Sequence, residues 1–176
     1  MPAMTMLGWF HTMMGVLALL LAIAAIRKYG FIRSTDSEGA AYLVVTVVVA
    51  GSALGIYNQG GFGIAHYLAL LTLAAALGGF VLERLNLFGR FSVYFQAIAY
   101  SATILFHMIP AITDFLRRLP VGDPFIDSFD SPVLQGFHLA FLGLYVVGVA
   151  VQMLKLRGRA VDLWAVKVCA WTPEAR

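Results

Sequence analysis

The sequence predicts an all-α integral membrane protein, a bundle of five transmembrane helices in a single domain. Of its 176 residues, 61% are hydrophobic and only 12% are charged, whereas about a quarter of the residues in a soluble domain carry charge. The mean hydropathy is +0.85. A soluble core of this length cannot bury so much apolar surface. We therefore expect the lipid bilayer to be the solvent of this chain.

Five apolar runs are long enough to cross a membrane. A helix needs about 20 residues to span about 30 Å of hydrocarbon, and lipid cannot satisfy the edge of an open sheet. Helices are therefore predicted even for the β-branched second run, which would favour a strand in water. The predicted spans cover residues 6–26, 39–56, 63–82, 91–112 and 132–154, with an outer loop at 113–131 and a cytoplasmic interfacial tail at 155–176.

The basic residues predict the orientation of this bundle. With five spans, only Arg117 and Arg118 of the twelve Lys and Arg residues fall on one face, and the rest fall on the other. By the positive-inside rule the richer face is cytoplasmic, so the N-terminus lies outside and the C-terminus inside. We therefore interpret the net charge of +3 as a topology signal and expect no nucleic-acid partner.

All four histidines are predicted to lie near the outer ends of their helices. His11 is near the start of the first span, His66 begins the third, His107 is near the end of the fourth and His138 begins the fifth. An ionisable residue within a span is a functional-site hypothesis by default. These histidines are the predicted metal ligands, and the single Cys169 excludes a cysteine-rich metal site.

The fourth span carries a polar stripe on an otherwise apolar helix. Gln96, Tyr100, Thr103 and His107 follow spacings of four, three and four, which place them on one helix face. Polar side chains normally turn away from lipid. We expect the stripe to face the bundle interior, as a cofactor site or as interhelical hydrogen bonds.

A second stripe, on the fifth span, predicts the partner of the first. Tyr145 lies seven residues from His138, as Tyr100 does from His107, so each tyrosine is about 10 Å deeper than its histidine. These four residues are the predicted cofactor-binding set, and Arg117 is the candidate partner for a haem propionate or another anion. The second stripe consists of Gln135, His138, Tyr145 and Gln152.

Small residues accompany the histidine of the first span. They favour close helix packing, and they would also admit a flat cofactor such as a porphyrin. The stripe consists of Gly8, His11, Gly15, Ala18, Ala22 and Ala25.

These observations predict a histidine-bound redox cofactor near the periplasmic face, with a role in electron transfer. The cofactor is a b-type haem with two axial imidazoles, or a transition metal (Cu, Fe or Zn). Quinone or a larger membrane complex is the candidate partner. Two alternatives stay open. The first is a non-haem metal site for metal handling or membrane catalysis, and the second is an accessory structural subunit. The sequence leaves open whether the protein is an enzyme.

One stretch resembles an uncharacterised family of predicted bacterial inner-membrane proteins. The resemblance lies in the segment GGFGIAHYLALLTL, from Gly60 to Leu73, and in His11 followed by Gly15. It covers about the first half of the chain, and the family's His-Arg pair after the third helix is replaced here by Glu83-Arg84. The resemblance implies a multi-pass protein of the bacterial inner membrane and no specific activity.

The predicted topology can be tested with a reporter fused after Arg176. We expect the reporter to be cytoplasmic, because the basic residues collect on that face. A fluorescent protein fused at this position reports a cytoplasmic C-terminus. A phosphatase that is active only in the periplasm, fused at the same position, reports the opposite orientation. Phosphatase activity without fluorescence would contradict the orientation.

Overall fold

The computed structural model describes residues 5–57 and 61–171, with side chains up to Gly158. The protein is all-helical, with 79% of residues in helices and no strand in the described ranges, which confirms the predicted all-α class. A single 3₁₀ turn, Gly89–Phe91, precedes the fourth helix. The helices are α1 (Met6–Tyr29), α2 (Ser37–Ala53), α3 (Ile64–Leu85), α4 (Ser92–Arg118) and α5 (Pro132–Trp171).

Four of these helices are long and apolar enough to cross a membrane. They are α1, α3, α4 with its preceding turn, and the Pro132–Gly158 part of α5. The apolar α2 has 17 residues, so it is about 26 Å long. That length is slightly short of about 30 Å of hydrocarbon. Length and composition therefore support four membrane-spanning helices, and the fifth span stays a prediction.

The chain after the fifth predicted span continues as the same helix. α5 runs to Trp171 and so includes most of the segment 155–176, whose position at the membrane interface stays a prediction. Residues 172–176, and residues 58–60 before α3, lie outside the described ranges.

Local signals in the sequence explain where the first and third helices begin and end. Thr5 caps α1, since its hydroxyl accepts from the Gly8 amide at 3.1 Å. Gly30 ends α1 with a φ of 87°, a left-handed conformation that glycine adopts without strain. Asn86 ends α3 in the same region, with a φ of 48°.

The first four helices form a closed ring. α1 packs on α2, α2 on α3, α3 on α4, and α4 returns to α1, while α5 packs against the outer side of α4. The short loops make sequence neighbours antiparallel. One end of the ring therefore gathers the start of α1 and α3 with the end of α2 and α4, and we call it the outer end.

Small residues on α1 let the ring close around two tyrosines. Ala18, Ala22 and Ala25 are buried in one cluster with Tyr42 of α2 and Tyr100 of α4. Side chains this small allow helices to approach closely. The large apolar side chains of α1 point outward instead, as a lipid-facing surface requires: Trp9, Phe10, Met13, Val16, Leu17, Leu20 and Ile23.

The loop between α1 and α2 folds back under the inner end of the ring. Phe31 and Ile32 are buried, and the Arg33 carbonyl lies so close to Gly39 that no β-carbon would fit there. At the surface beside this loop, the Lys28 ammonium and the Tyr29 hydroxyl both donate to Glu38. The hydrogen bond from Lys28 lowers the pKa of Glu38 to about 2. Glu38 is therefore ionised at neutral pH.

A glycine on α3 sets the closest approach between helices. A β-carbon built on Gly79 would lie 2.6 Å from a ring carbon of Tyr100, whereas one on Gly78 would meet nothing within 4 Å. Tyr100 is fully buried, so its ring has no space into which it can move.

We predict that Gly79→Ala destabilises the bundle and that Gly78→Ala does not. Overpacking of a tight core costs about 1–3 kcal/mol, whereas an added methyl group on the exposed face favours the helix. Thermal and denaturant unfolding of the two purified variants measures the difference. Equal stability of the two variants would show that the Tyr100 ring can move aside to accommodate the added methyl group.

Candidate functional site

The polar stripe of α4 is buried along its length. Gln96 is 3% exposed, Tyr100 and Thr103 are fully buried and His107 is 8% exposed. The stripe faces the inside of the ring, where α1, α2 and α3 surround it. Each of its polar groups has a partner on another element, as burial away from water requires.

The inner part of the stripe holds the returning loop. The Gln96 amide donates to the Ile32 carbonyl at 3.1 Å, and the Tyr100 hydroxyl donates to Glu83 at 2.9 Å. Both carboxylate oxygens of Glu83 also accept from the Ser34 amide, at 3.0 and 2.9 Å. Three segments of the chain, namely α3, α4 and the loop, therefore meet at one carboxylate.

The outer part of the stripe bonds to α2. The Thr103 hydroxyl donates to the Tyr100 carbonyl at 2.6 Å, so its oxygen accepts from the Tyr42 hydroxyl at 2.5 Å. Thr46, one turn from Tyr42 on α2, lies 3.2 Å from Nε2 of His107. This sequence of bonds ends at a backbone carbonyl, which cannot pass on a proton. We interpret it as a lock between α2 and α4.

His11 faces the same part of the ring from α1. Its Nδ1 lies 3.1 Å from the Val49 carbonyl and 3.0 Å from the Ser52 hydroxyl. Because a carbonyl can only accept, Nδ1 carries the proton and Nε2 keeps its lone pair. His107 bonds to the same helix, α2, one turn deeper, at Thr46.

Space is available beside His11. Gly15 lies one turn deeper on the same face of α1 and is partly buried, yet a β-carbon there would meet nothing within 4 Å. This differs from the tight contact between Gly79 and Tyr100 at the inner end.

His66 has the opposite tautomer. Its Nδ1 accepts from the Gly63 amide at 3.1 Å, so Nε2 carries the proton of the neutral ring. The side chain is 3% exposed, and Nε2 is buried without a partner within the described ranges.

His138 and the α5 stripe lie on the other side of α4. Nε2 of His138 is 3.2 Å from the Thr113 hydroxyl, and the Tyr145 hydroxyl is directed at the Ile98 carbonyl at 3.4 Å. Deeper still, Ser101 donates to Gln152. The structure does not bring His107 and Tyr100 together with His138 and Tyr145, because α4 has polar groups on two faces and α5 packs outside the ring.

α4 runs to Arg118, so Arg117 lies in its last turn and not in the predicted outer loop, and it is not part of the buried stripe. Its guanidinium stacks on Phe129, 3.7 Å from the ring centre, whereas Arg118 forms a weak ion pair with Asp114 at 3.5 Å. In the part of the chain that the structure describes, no three His, Cys, Asp or Glu side chains are placed to hold a metal ion. The four histidines therefore do not converge on one point.

Sequence reasoning missed the two groups that organise the inner end. The sequence assigns no role to Glu83 beyond its place after the third span, and the loop residues Ile32 and Ser34 carry no signal of their contacts. The available clue to this contact is Glu83 itself. It is a single acid directly after an apolar span, on the side where basic residues surround the loop between α1 and α2. The partner role of Thr46 was hidden in a β-branched run, LVVTVVV.

Comparison with protein-family models, with curated proteins and with solved structures returned no match. The resemblance to a bacterial inner-membrane family therefore stays a prediction, and the geometry of the site alone carries the functional argument.

We predict that Glu83→Ala releases the returning loop. The change leaves the Ser34 amide and the Tyr100 hydroxyl without their acceptor, which costs about 1–3 kcal/mol. Hydrogen exchange at the Ser34 amide and the free energy of unfolding measure the effect. Glu38→Gln, which changes an exposed acid at the same end, is the control. Unchanged protection of Ser34 in Glu83→Ala would refute the anchoring role.

Proposed function

We propose that this protein is a multi-pass protein of the bacterial inner membrane that holds a redox cofactor between His11 and His107, near the periplasmic end, and transfers electrons. The observation that carries this proposal is the state of His11. Its Nδ1–H is held by a backbone carbonyl, and a contact of this kind orients a ligating imidazole and leaves Nε2 free.

His107 completes the pair from α4. It bonds to α2 at Thr46, one turn from the Val49 carbonyl that holds His11, and ligation through its Nε2 would displace that contact with Thr46. Two imidazoles on neighbouring antiparallel helices are the donor set of a b-type haem. The open position at Gly15 supports room for a planar group beside them.

The number of donors favours haem over a bare metal ion. A porphyrin supplies four ligands itself and needs only axial partners, whereas Cu, Fe or Zn bound by protein side chains needs at least a third donor. No third His, Cys, Asp or Glu joins the pair within the described residues.

When bound, the haem would act as a one-electron carrier. The protein contributes the orientation of His11 through Val49 and an apolar surrounding that keeps water out. Tyr42 lies edge-on to His107, with 6.5 Å between the ring centres, and fixes the position of that ring on its inner side. Low polarity around a haem is one of the means by which a protein tunes its potential.

The orientation in this proposal rests on α2. α2 packs between α1 and α3 in the ring and bonds to His107 through Thr46, so we treat it as the fifth span despite its length. The basic residues then lie on the cytoplasmic side, and the histidine end faces the periplasm.

An absorption spectrum of the purified protein with elemental analysis tests the proposal. We expect a Soret band that shifts on reduction and is lost in His11→Ala and His107→Ala, because each removes an axial ligand. His138→Ala, on the outer side of α4, is the matched control and retains the band. A stoichiometric metal without a Soret band would replace haem by a non-haem site. Neither haem nor metal at saturating supply would refute the proposal and favour an accessory subunit.

A further inference from the structure

We propose that His66 is the hydrogen-bond donor of a binding site for a planar, lipid-soluble carbonyl compound of the quinone class, at the outer end of α3. This site is separate from the proposed pair of ligands, because His66 presents a proton where His11 presents a lone pair. The inference therefore goes beyond the proposed function and can fail or succeed independently of it.

The first step is the tautomer of His66. The Gly63 amide donates to Nδ1 at 3.1 Å, so the ring proton is on Nε2. An Nε2–H group cannot ligate a metal ion, which needs the lone pair. The group that binds here must supply an acceptor, such as a carbonyl oxygen.

The second step is the burial of that proton. His66 is 3% exposed, and its Nε2 has no partner in the described part of the chain. Buried donors are nearly always hydrogen-bonded, and an exception needs an explanation. A bound acceptor that the protein itself does not supply is such an explanation.

The third step is the shape and solubility of the occupant. The ring of Phe62 stacks on the imidazole with 4.7 Å between centres, and the ring of Tyr57 lies 4.8 Å away. Both rings are about half exposed, at 52% and 56%, at the outer end of the ring of helices. Aromatic faces of this kind favour a flat ring, and an approach from lipid selects an apolar molecule.

The fourth step is the space around the imidazole. The buried face of α3 continues from His66 with the small residues Ala69 and Thr72, and a β-carbon on Gly63 would meet nothing within 4 Å. The positions next to the imidazole along this face therefore carry only small side chains. Membrane quinones combine a planar ring, carbonyl acceptors and solubility in lipid, and they match each of these features.

The test uses the full-length protein in nanodiscs and a decyl-substituted benzoquinone as the probe. We expect saturable binding by titration calorimetry, and an affinity at least about tenfold lower in His66→Phe, which keeps a ring but removes the donor. His66→Gln retains an N–H donor and is expected to retain most of the affinity. His138→Phe is the matched control at the same end, and its affinity should equal that of the wild type.

Two further measurements keep the result unambiguous. The carbonyl stretch of a ¹³C-labelled probe should fall to lower frequency on binding to the wild-type protein, which reports the hydrogen bond even if His66→Phe does not fold. Binding in ether-linked lipids, which lack ester carbonyls, should be as tight or tighter, since no lipid carbonyl competes for His66. The proposal would be overturned if neither lipid supported saturable binding. It would also be overturned if His66→Phe and His138→Phe bound the probe with equal affinity.

Binding in His11→Ala separates this proposal from the redox proposal. That variant lacks a proposed axial ligand but keeps His66 and its two aromatic neighbours, so we expect the probe to bind within about threefold of the wild-type affinity. Retained binding without a Soret band would support the quinone site alone. Lost binding in this variant, with the fold intact, would contradict an independent site.

Discussion

The structure depends on the rule that a polar group inside a membrane bundle must be satisfied by the bundle itself. α4 has four polar side chains on its buried face, and their partners come from α2, α3 and the returning loop. The four bonds tie α4 to three other elements, with two of them going to α2, so the stripe defines the ring together with apolar packing. At Glu83 the rule is strongest, because one carboxylate serves the backbone of the loop and the hydroxyl of Tyr100.

These contacts make the two ends of the ring different. At the inner end, Tyr100 fills the space against Gly79, and the loop with Phe31 and Ile32 closes the opening. At the outer end, the inward residues are His11, His66 and His107, and positions such as Gly15 have open space beside them. The contact at Gly79 is therefore tighter than the position at Gly15, and the two ends of the ring differ in packing as well as in chemistry.

The sequence predicted the helices well, because apolar length and backbone satisfaction leave few alternatives in lipid. It also placed the stripe of Gln96, Tyr100, Thr103 and His107 on one face, since helical periodicity follows from spacing alone. It could not tell which neighbour that face meets. Pairing His107 with His138 assumed that α5 joins the ring, whereas α5 packs on the opposite side of α4. Helix order around a ring follows from long-range packing, which no local pattern encodes.

Three histidines that look alike in the sequence acquire different chemistry from a single neighbouring atom. A carbonyl at Nδ1 leaves His11 with a lone pair, and an amide at Nδ1 leaves His66 with a proton. His107 bonds through the other nitrogen to a threonine, which can act as donor or acceptor. The proposed ligand and the proposed donor therefore differ in the atom beside Nδ1 and not in side-chain type. The backbone at Val49 and Gly63 supplies that division, so the assignment of roles follows from the helix ends and not from the histidines themselves.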